Sequence, residues 1–133
     1  MVQFSFDVGD QDDLKNILNE MKGKKEYTDA ADRLAIICME RAEVDEASAL
    51  ARLFYEILPD TKIAGLTTTA EICGGVLSDH SITVTFLLFE SSSVRVLTYD
   101  TSRLPMEEIG TDITEVADRT DDLRAIQIFV NGV

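Results

Sequence analysis

The chain has 133 residues, of which 45% are hydrophobic and 28% are charged, and its formal net charge is −13. This length and composition predict one folded globular domain. The acidic balance argues against binding to nucleic acid and to anionic membrane surfaces, because both require clustered Lys and Arg.

Membrane insertion and secretion are also not expected. No apolar run approaches the roughly 18 residues that a membrane-spanning helix needs. The N-terminus lacks the basic and apolar regions of a signal peptide. The two cysteines, Cys38 and Cys73, are too few for a disulfide scaffold. We therefore predict a cytoplasmic protein without membrane insertion.

The first two predicted elements are a strand and a helix. Residues 1–6 alternate apolar and polar side chains, which is typical of a strand with one buried face. Asp10 is placed to cap a helix over Gln11–Lys22, whose apolar residues recur at helical spacing. The basic residues of Lys22–Lys25 are interpreted as a solvated linker.

The centre of the chain predicts a strand–helix–strand unit. Leu34–Met39 is apolar without alternation, which favours a central strand with both faces buried. Asp45–Leu58 carries one apolar stripe and ends at Pro59, as a helix would. Lys62–Leu66 is the following short strand, and the crossover makes the two strands parallel.

The second half of the chain predicts an antiparallel hairpin, a helix and a last strand. Ile82–Phe89 and Val94–Tyr99 are separated by four polar residues, which favours a hairpin. A helix opens at Pro105, and Ala125–Val130 forms a further strand. The predicted fold class is α/β, a mixed sheet with packed helices, built from a βαβ core and an antiparallel hairpin.

Catalytic, metal and cofactor sites find little support in the sequence. His80 is the single histidine, so a metal site built with Cys73 would lack ligands. Cys73 and His80 are also the only Cys/His pair for nucleophilic catalysis, and their spacing carries little specificity. Glycine-rich phosphate-binding motifs are absent. We therefore expect no enzyme, no metal and no cofactor, with a small Cys/His-dependent enzyme as a minor alternative.

A ligand-binding site is predicted at the end of the Lys62–Leu66 strand. Thr67, Thr68 and Glu71 follow this strand, and ligands of α/β sheets bind at the carboxyl ends of strands. Hydroxyl and carboxylate groups there can hydrogen-bond a small polar molecule. A purely structural role is the alternative, in which the threonines satisfy backbone groups and the glutamate pairs with an arginine.

The segment 58–72, which reads LPDTKIAGLTTTAEI, resembles the FIST N-terminal domain, a sensory input module. A Leu-Pro turn, an apolar strand into Gly, a Thr-Thr pair, and a Glu-Ile pair before glycines carry the resemblance. It covers roughly Arg33 to Tyr99 well. The sequence departs from the family pattern at Thr69, where Ala is usual, and at Ala70, where Gly is usual.

The resemblance implies a signal-transduction input domain that binds a small polar ligand, such as an amino acid, and passes the signal to an output module. It also implies that residues 1–133 form one α/β sensory domain, the N-terminal part of a longer FIST domain. The alternative is a protein-interaction or oligomerisation domain without a small ligand. In that case the Val94–Tyr99 edge or the last strand would pair with a partner or a second copy.

Overall fold

The computed structural model of the chain describes residues 1–40, 44–68, 71–73, 75–78 and 82–129. Within these ranges it contains six strands and four helices. The strands are β1 (Val2–Val8), β2 (Asp32–Met39), β3 (Lys62–Thr67), β4 (Glu71–Cys73), β5 (Val76–Ser78) and β6 (Ile82–Phe89). The helices are α1 (Gln11–Gly23), α2 (Lys25–Asp29), α3 (Val44–Ile57) and α4 (Met106–Asp118).

The main sheet is mixed and has the strand order β1-β6-β2-β3. Strand β6 is antiparallel to both β1 and β2, whereas β2 and β3 are parallel and are joined through α3. The predicted α/β class and the βαβ core are therefore confirmed. A second sheet consists of the short antiparallel pair β4 and β5.

The hydrophobic core lies on one face of the main sheet. Helix α1 contributes Leu14 and Leu18, and helix α3 contributes Phe54, all fully buried against the sheet. The ring of Phe54 lies 5.9 Å from that of Phe86 on β6, between ring centroids. Burial of apolar area is the main favourable term in folding, so the packing of α1 and α3 on this face stabilises the main sheet.

Helix α1 begins where the sequence predicts it. The side chain of Asp10 accepts a hydrogen bond of 2.9 Å from the backbone N–H of Asp13. The Asp13 carboxylate in turn accepts one of 3.3 Å from the N–H of Gly9. The first bond satisfies an N–H group that the first turn of a helix leaves without a partner, and the second ties the Gly9 backbone to that turn.

The other face of the sheet, called the second face below, is less covered. Along β2 the residues Ala35, Ile37 and Met39 are buried, whereas Ile36 and Cys38 are half-buried. Successive strand residues point to opposite faces, so α1 and α3 cover the face of Ala35, Ile37 and Met39. The predicted burial of both faces of Leu34–Met39 is therefore complete on the face of Ala35, Ile37 and Met39 and only partial on the second face, where Leu34 is buried and Ile36 and Cys38 are half-buried.

The predicted hairpin of Ile82–Phe89 with Val94–Tyr99 is also wrong. No strand is present in 94–99, and both edges of β6 are occupied, one by β1 and the other by β2. A central strand has no free edge for another hairpin partner. The antiparallel hairpin of the fold is the pair β4 and β5 instead.

Two further segments differ from the sequence-based predictions. The basic Lys22–Lys25 stretch is not a linker, because α1 continues to Gly23 and α2 starts at Lys25. The predicted Ala125–Val130 strand is absent from residues 125–129, and Val130 lies outside the described residues. Within the described part of Leu97–Val133 no strand is available for residues 125–129 to pair with.

The chain divides into two compact units, Met1–Val96 and Leu97–Val133. The second unit contains α4, with Ile109 buried, and the phenol of Tyr99 donates a hydrogen bond to the Asp112 carboxylate at 2.5 Å. Several large apolar side chains of this unit are exposed: Leu97, Leu104, Met106, Leu123, Ile126, Ile128 and Phe129.

Candidate functional site

The predicted ligand residues lie at the carboxyl ends of the parallel strands β2 and β3. Thr67 is the last residue of β3 and is in register with Met39, the last residue of β2. The N–H of Thr68 donates a 2.9 Å hydrogen bond to the carbonyl of Met39. Thr67 is exposed and Thr68 is half-buried. The structure thus places both hydroxyl residues at the sheet edge that the sequence predicts.

The two threonines do not face the same side of the sheet. Thr67 is in the row of Ile63 on the helix-covered face, because side chains alternate along a strand. The hydrogen bond to Met39 continues the strand pairing to Thr68, which therefore follows Leu66 on the second face. A ligand that contacts both hydroxyls must therefore lie across the end of β3, and not on one face of the sheet.

The third predicted residue, Glu71, starts strand β4. Only the backbone of Glu71 and of Cys73 is described, and Thr69, Ala70 and His80 lie outside the described residues. Strand β4 pairs with β5 and approaches β1 and β6. Glu71 is therefore carried by a hairpin that approaches β1 and β6 and that begins three residues after Thr68.

Gly75 forms the described part of the turn between β4 and β5. Its φ angle is +81°, in the left-handed region that favours glycine over every other residue. Cys73 is in register with Val76, so the turn is tight. This turn explains Gly75, with no need for a ligand at its backbone.

A group of polar residues on the second face was not predicted from the sequence. The hydroxyls of Ser5 and Thr85 lie 3.0 Å apart across β1 and β6. Asp7 is exposed and is the register partner of Thr83, which is 7% exposed. Within the described residues, the Thr83 hydroxyl has no hydrogen-bond partner. Alternation in β1 indicates which residues share a face, but not that β6 lies beside them.

A second polar cluster lies at the opposite end of β2 and β3. The Asp32 carboxylate accepts hydrogen bonds from Lys62 Nζ at 2.5 Å, from the N–H of Val94 at 2.7 Å and from the N–H of Arg33 at 2.8 Å. Burial acts to raise the pKa of Asp32, but these hydrogen bonds outweigh it and hold the pKa below its usual value. The donors satisfy this carboxylate, so the cluster is structural.

The described residues contain neither a candidate metal site nor a candidate membrane-spanning helix. Across these ranges, His, Cys, Asp and Glu do not gather in any group of three or more that would hold a metal ion. None of the helices in the described part of the chain is long and apolar enough to cross a membrane.

The comparisons with known proteins agree with the resemblance seen in the sequence. The family model of the FIST N domain matches residues 33–133. The match begins where the resemblance predicts and continues past Asp100 to the last residue. No curated protein and no solved structure matched the chain in the corresponding searches. Because the family model covers well over half of the 133 residues, the chain belongs to the FIST N domain family, a family of sensory domains of signal-transduction proteins.

Proposed function

We propose that this domain is a cytoplasmic input domain that senses a small polar ligand, such as an amino acid. The ligand binds at the carboxyl end of β3, where Thr67 and Thr68 offer hydroxyl groups and Glu71 offers a carboxylate. The observation that carries the proposal is the position of Thr68, half-buried at the end of β3 and hydrogen-bonded through its N–H to the end of β2. Crevices at such strand ends are where α/β sheets bind ligands.

Ligand binding would change the output of the protein by shifting the population of its conformations. A ligand shifts such an equilibrium only to the extent that it binds one state better than the other. The hairpin of β4 and β5 is the element through which this difference would arise, because it follows the threonines directly and carries Glu71. An output module or partner protein reads the change, and the domain itself needs no cofactor and performs no catalysis.

The proposal is tested by measuring the melting temperature of the whole chain with each standard L-amino acid. A molecule that binds only the folded state raises this temperature. We expect a stabilising amino acid whose effect is lost in Thr68→Val and in Glu71→Gln. Thr28→Val, at an exposed threonine of α2, and Glu56→Gln, at an exposed glutamate of α3, are the matched controls. An effect that persists in both site variants contradicts the proposed site, and no effect of any amino acid contradicts the proposed ligand class.

A second candidate function is protein interaction, favoured by the second unit. Ile126 is 54% exposed, Ile128 62% and Met106 65%. Exposed apolar side chains that lie together form surfaces that bind other proteins. The edge at Val94–Tyr99 contains no strand, so an interaction there would rest on apolar side chains and not on strand pairing.

A further inference from the structure

The Thr83 hydroxyl is an unexplained polar group on the second face. Its residue is 7% exposed, and the hydroxyl has no hydrogen-bond partner within the described residues. A buried hydroxyl without a partner costs free energy. The neighbouring Thr85, two residues along the same face, instead pairs its hydroxyl with Ser5. Of these two hydroxyls, therefore, only that of Thr83 is left without a protein partner among the described residues.

A carboxylate stands beside this hydroxyl. Asp7 on β1 is the register partner of Thr83 on β6. Directly opposed residues of antiparallel strands have Cβ atoms about 5 Å apart, and the pair shares one face. Asp7 is exposed, and it takes part in no ion pair with the described residues. Strand β4, which carries Glu71, approaches both β1 and β6.

We propose that Asp7 and Thr83 bind the ammonium group of the ligand, so that the sensed molecule is an amine-bearing amino acid. This inference rests on the proposed function and specifies its ligand class. An ammonium has three donors and no acceptor, whereas a carboxylate and a threonine oxygen both accept. The pair therefore matches an ammonium better than a carboxylate, which Asp7 would repel. The net charge of −13 attracts cations in general and adds to this preference.

The strand order also sets the length of the ligand. Thr68 follows β3 and Thr83 lies on β6, with β2 between them. Thr83 and Leu66 are both in register with Cys38, so Thr68 lies two residues further along the strands, and two strand spacings with this offset separate Thr68 from Thr83 by about 12 Å. Only an elongated molecule contacts both residues, so we expect amino acids with long, amine-terminated side chains to bind better than glycine or alanine. L-lysine is the simplest such probe.

The test compares L-lysine with hexanoate, a carboxylate with a similar chain and no amine, in thermal-shift and calorimetric titrations of the whole chain. We expect lysine, and not hexanoate, to raise the melting temperature. We expect Asp7→Asn and Thr83→Val each to weaken lysine binding by about ten- to a hundredfold. Asp60→Asn, which removes the same charge at an exposed site, and Thr85→Val, which removes the hydroxyl next along the face, are the controls.

Each other outcome overturns the inference. Equal effects of lysine and hexanoate would show that the amine is not recognised. Lysine binding that survives both variants would leave the proposed sensor function standing and remove this site from it. If lysine does not change the melting temperature but another amino acid raises it, the sensor function also stands and the Asp7 and Thr83 site is ruled out. Thr83→Val keeps the shape of the side chain, so a lower melting temperature without ligand would show that the hydroxyl already has a partner.

Discussion

Asp32 differs from most acidic residues of this chain because its side chain is 12% exposed and accepts three hydrogen bonds. Its pKa is lowered in the folded protein. Ionised Asp32 therefore stabilises the fold above its ordinary pKa of 3.8, and this contribution is lost as the pH falls through the lower folded-state pKa.

We expect Asp32→Asn to lower the free energy of unfolding at neutral pH by about 1–2 kcal/mol, a range reduced because Lys62 is partly exposed. The difference in the free energy of unfolding between variant and wild type should shrink as the pH is lowered below the ordinary carboxyl pKa of 3.8. Urea unfolding over a pH series measures this, with Asp60→Asn as an exposed control that should show almost no difference. A difference that is independent of pH would contradict the role given to the ionised carboxylate.

Residue-scale features were only partly predictable from the sequence. Thr67 and Thr68 follow a recognisable strand, so their place at its end is visible in the local pattern. The burial of Thr83 depends on the strand order, which no local pattern contains. The missing partner of its hydroxyl depends on the side chains brought together by that order, so it required the structure.

At the scale of elements, helix α1 depends on its N-cap. Asp10→Ala removes the acceptor of the Asp13 N–H and should lower the free energy of unfolding by about 1 kcal/mol. Asp12→Ala removes a charge from the same first turn without removing a cap, and should cost less. Equal losses in the two variants, measured by urea unfolding, would show that charge and not the capping bond stabilises this helix.

The elements that the sequence predicts well are those with local signals. Helices α1 and α3 have apolar stripes and end signals, and β2, β3 and β6 are apolar runs of strand length. The partner of β6 was wrongly predicted because a short polar connection favours a hairpin, whereas the sheet joins β6 to β1 at the other end of the unit. Strands β1 and β6 are far apart in the sequence, so the residues next to either strand do not indicate that the two pair.

At the scale of the whole molecule, the exposed apolar residues of the second unit predict association. We expect the mass measured by sedimentation equilibrium to increase with protein concentration. Added salt should strengthen the association, because it screens repulsion between chains of net charge −13. The double variant Ile126→Asp/Ile128→Asp should remain monomeric. Tyr55→Asp, at a 76% exposed residue of α3, should not change the association. A wild-type mass that is constant with concentration would contradict the interaction function.

The most direct measurement of the central claim is a set of amide chemical shifts recorded while the standard L-amino acids are titrated into the whole chain. The account predicts that the amides of Thr67, Thr68 and Glu71 shift on binding. It predicts that those of Asp32, Arg33 and Lys62, at the opposite ends of β2 and β3, do not. Shifts confined to the Asp32 end of the strands, or no shifts with any amino acid, would contradict a sensor site at the carboxyl end of β3.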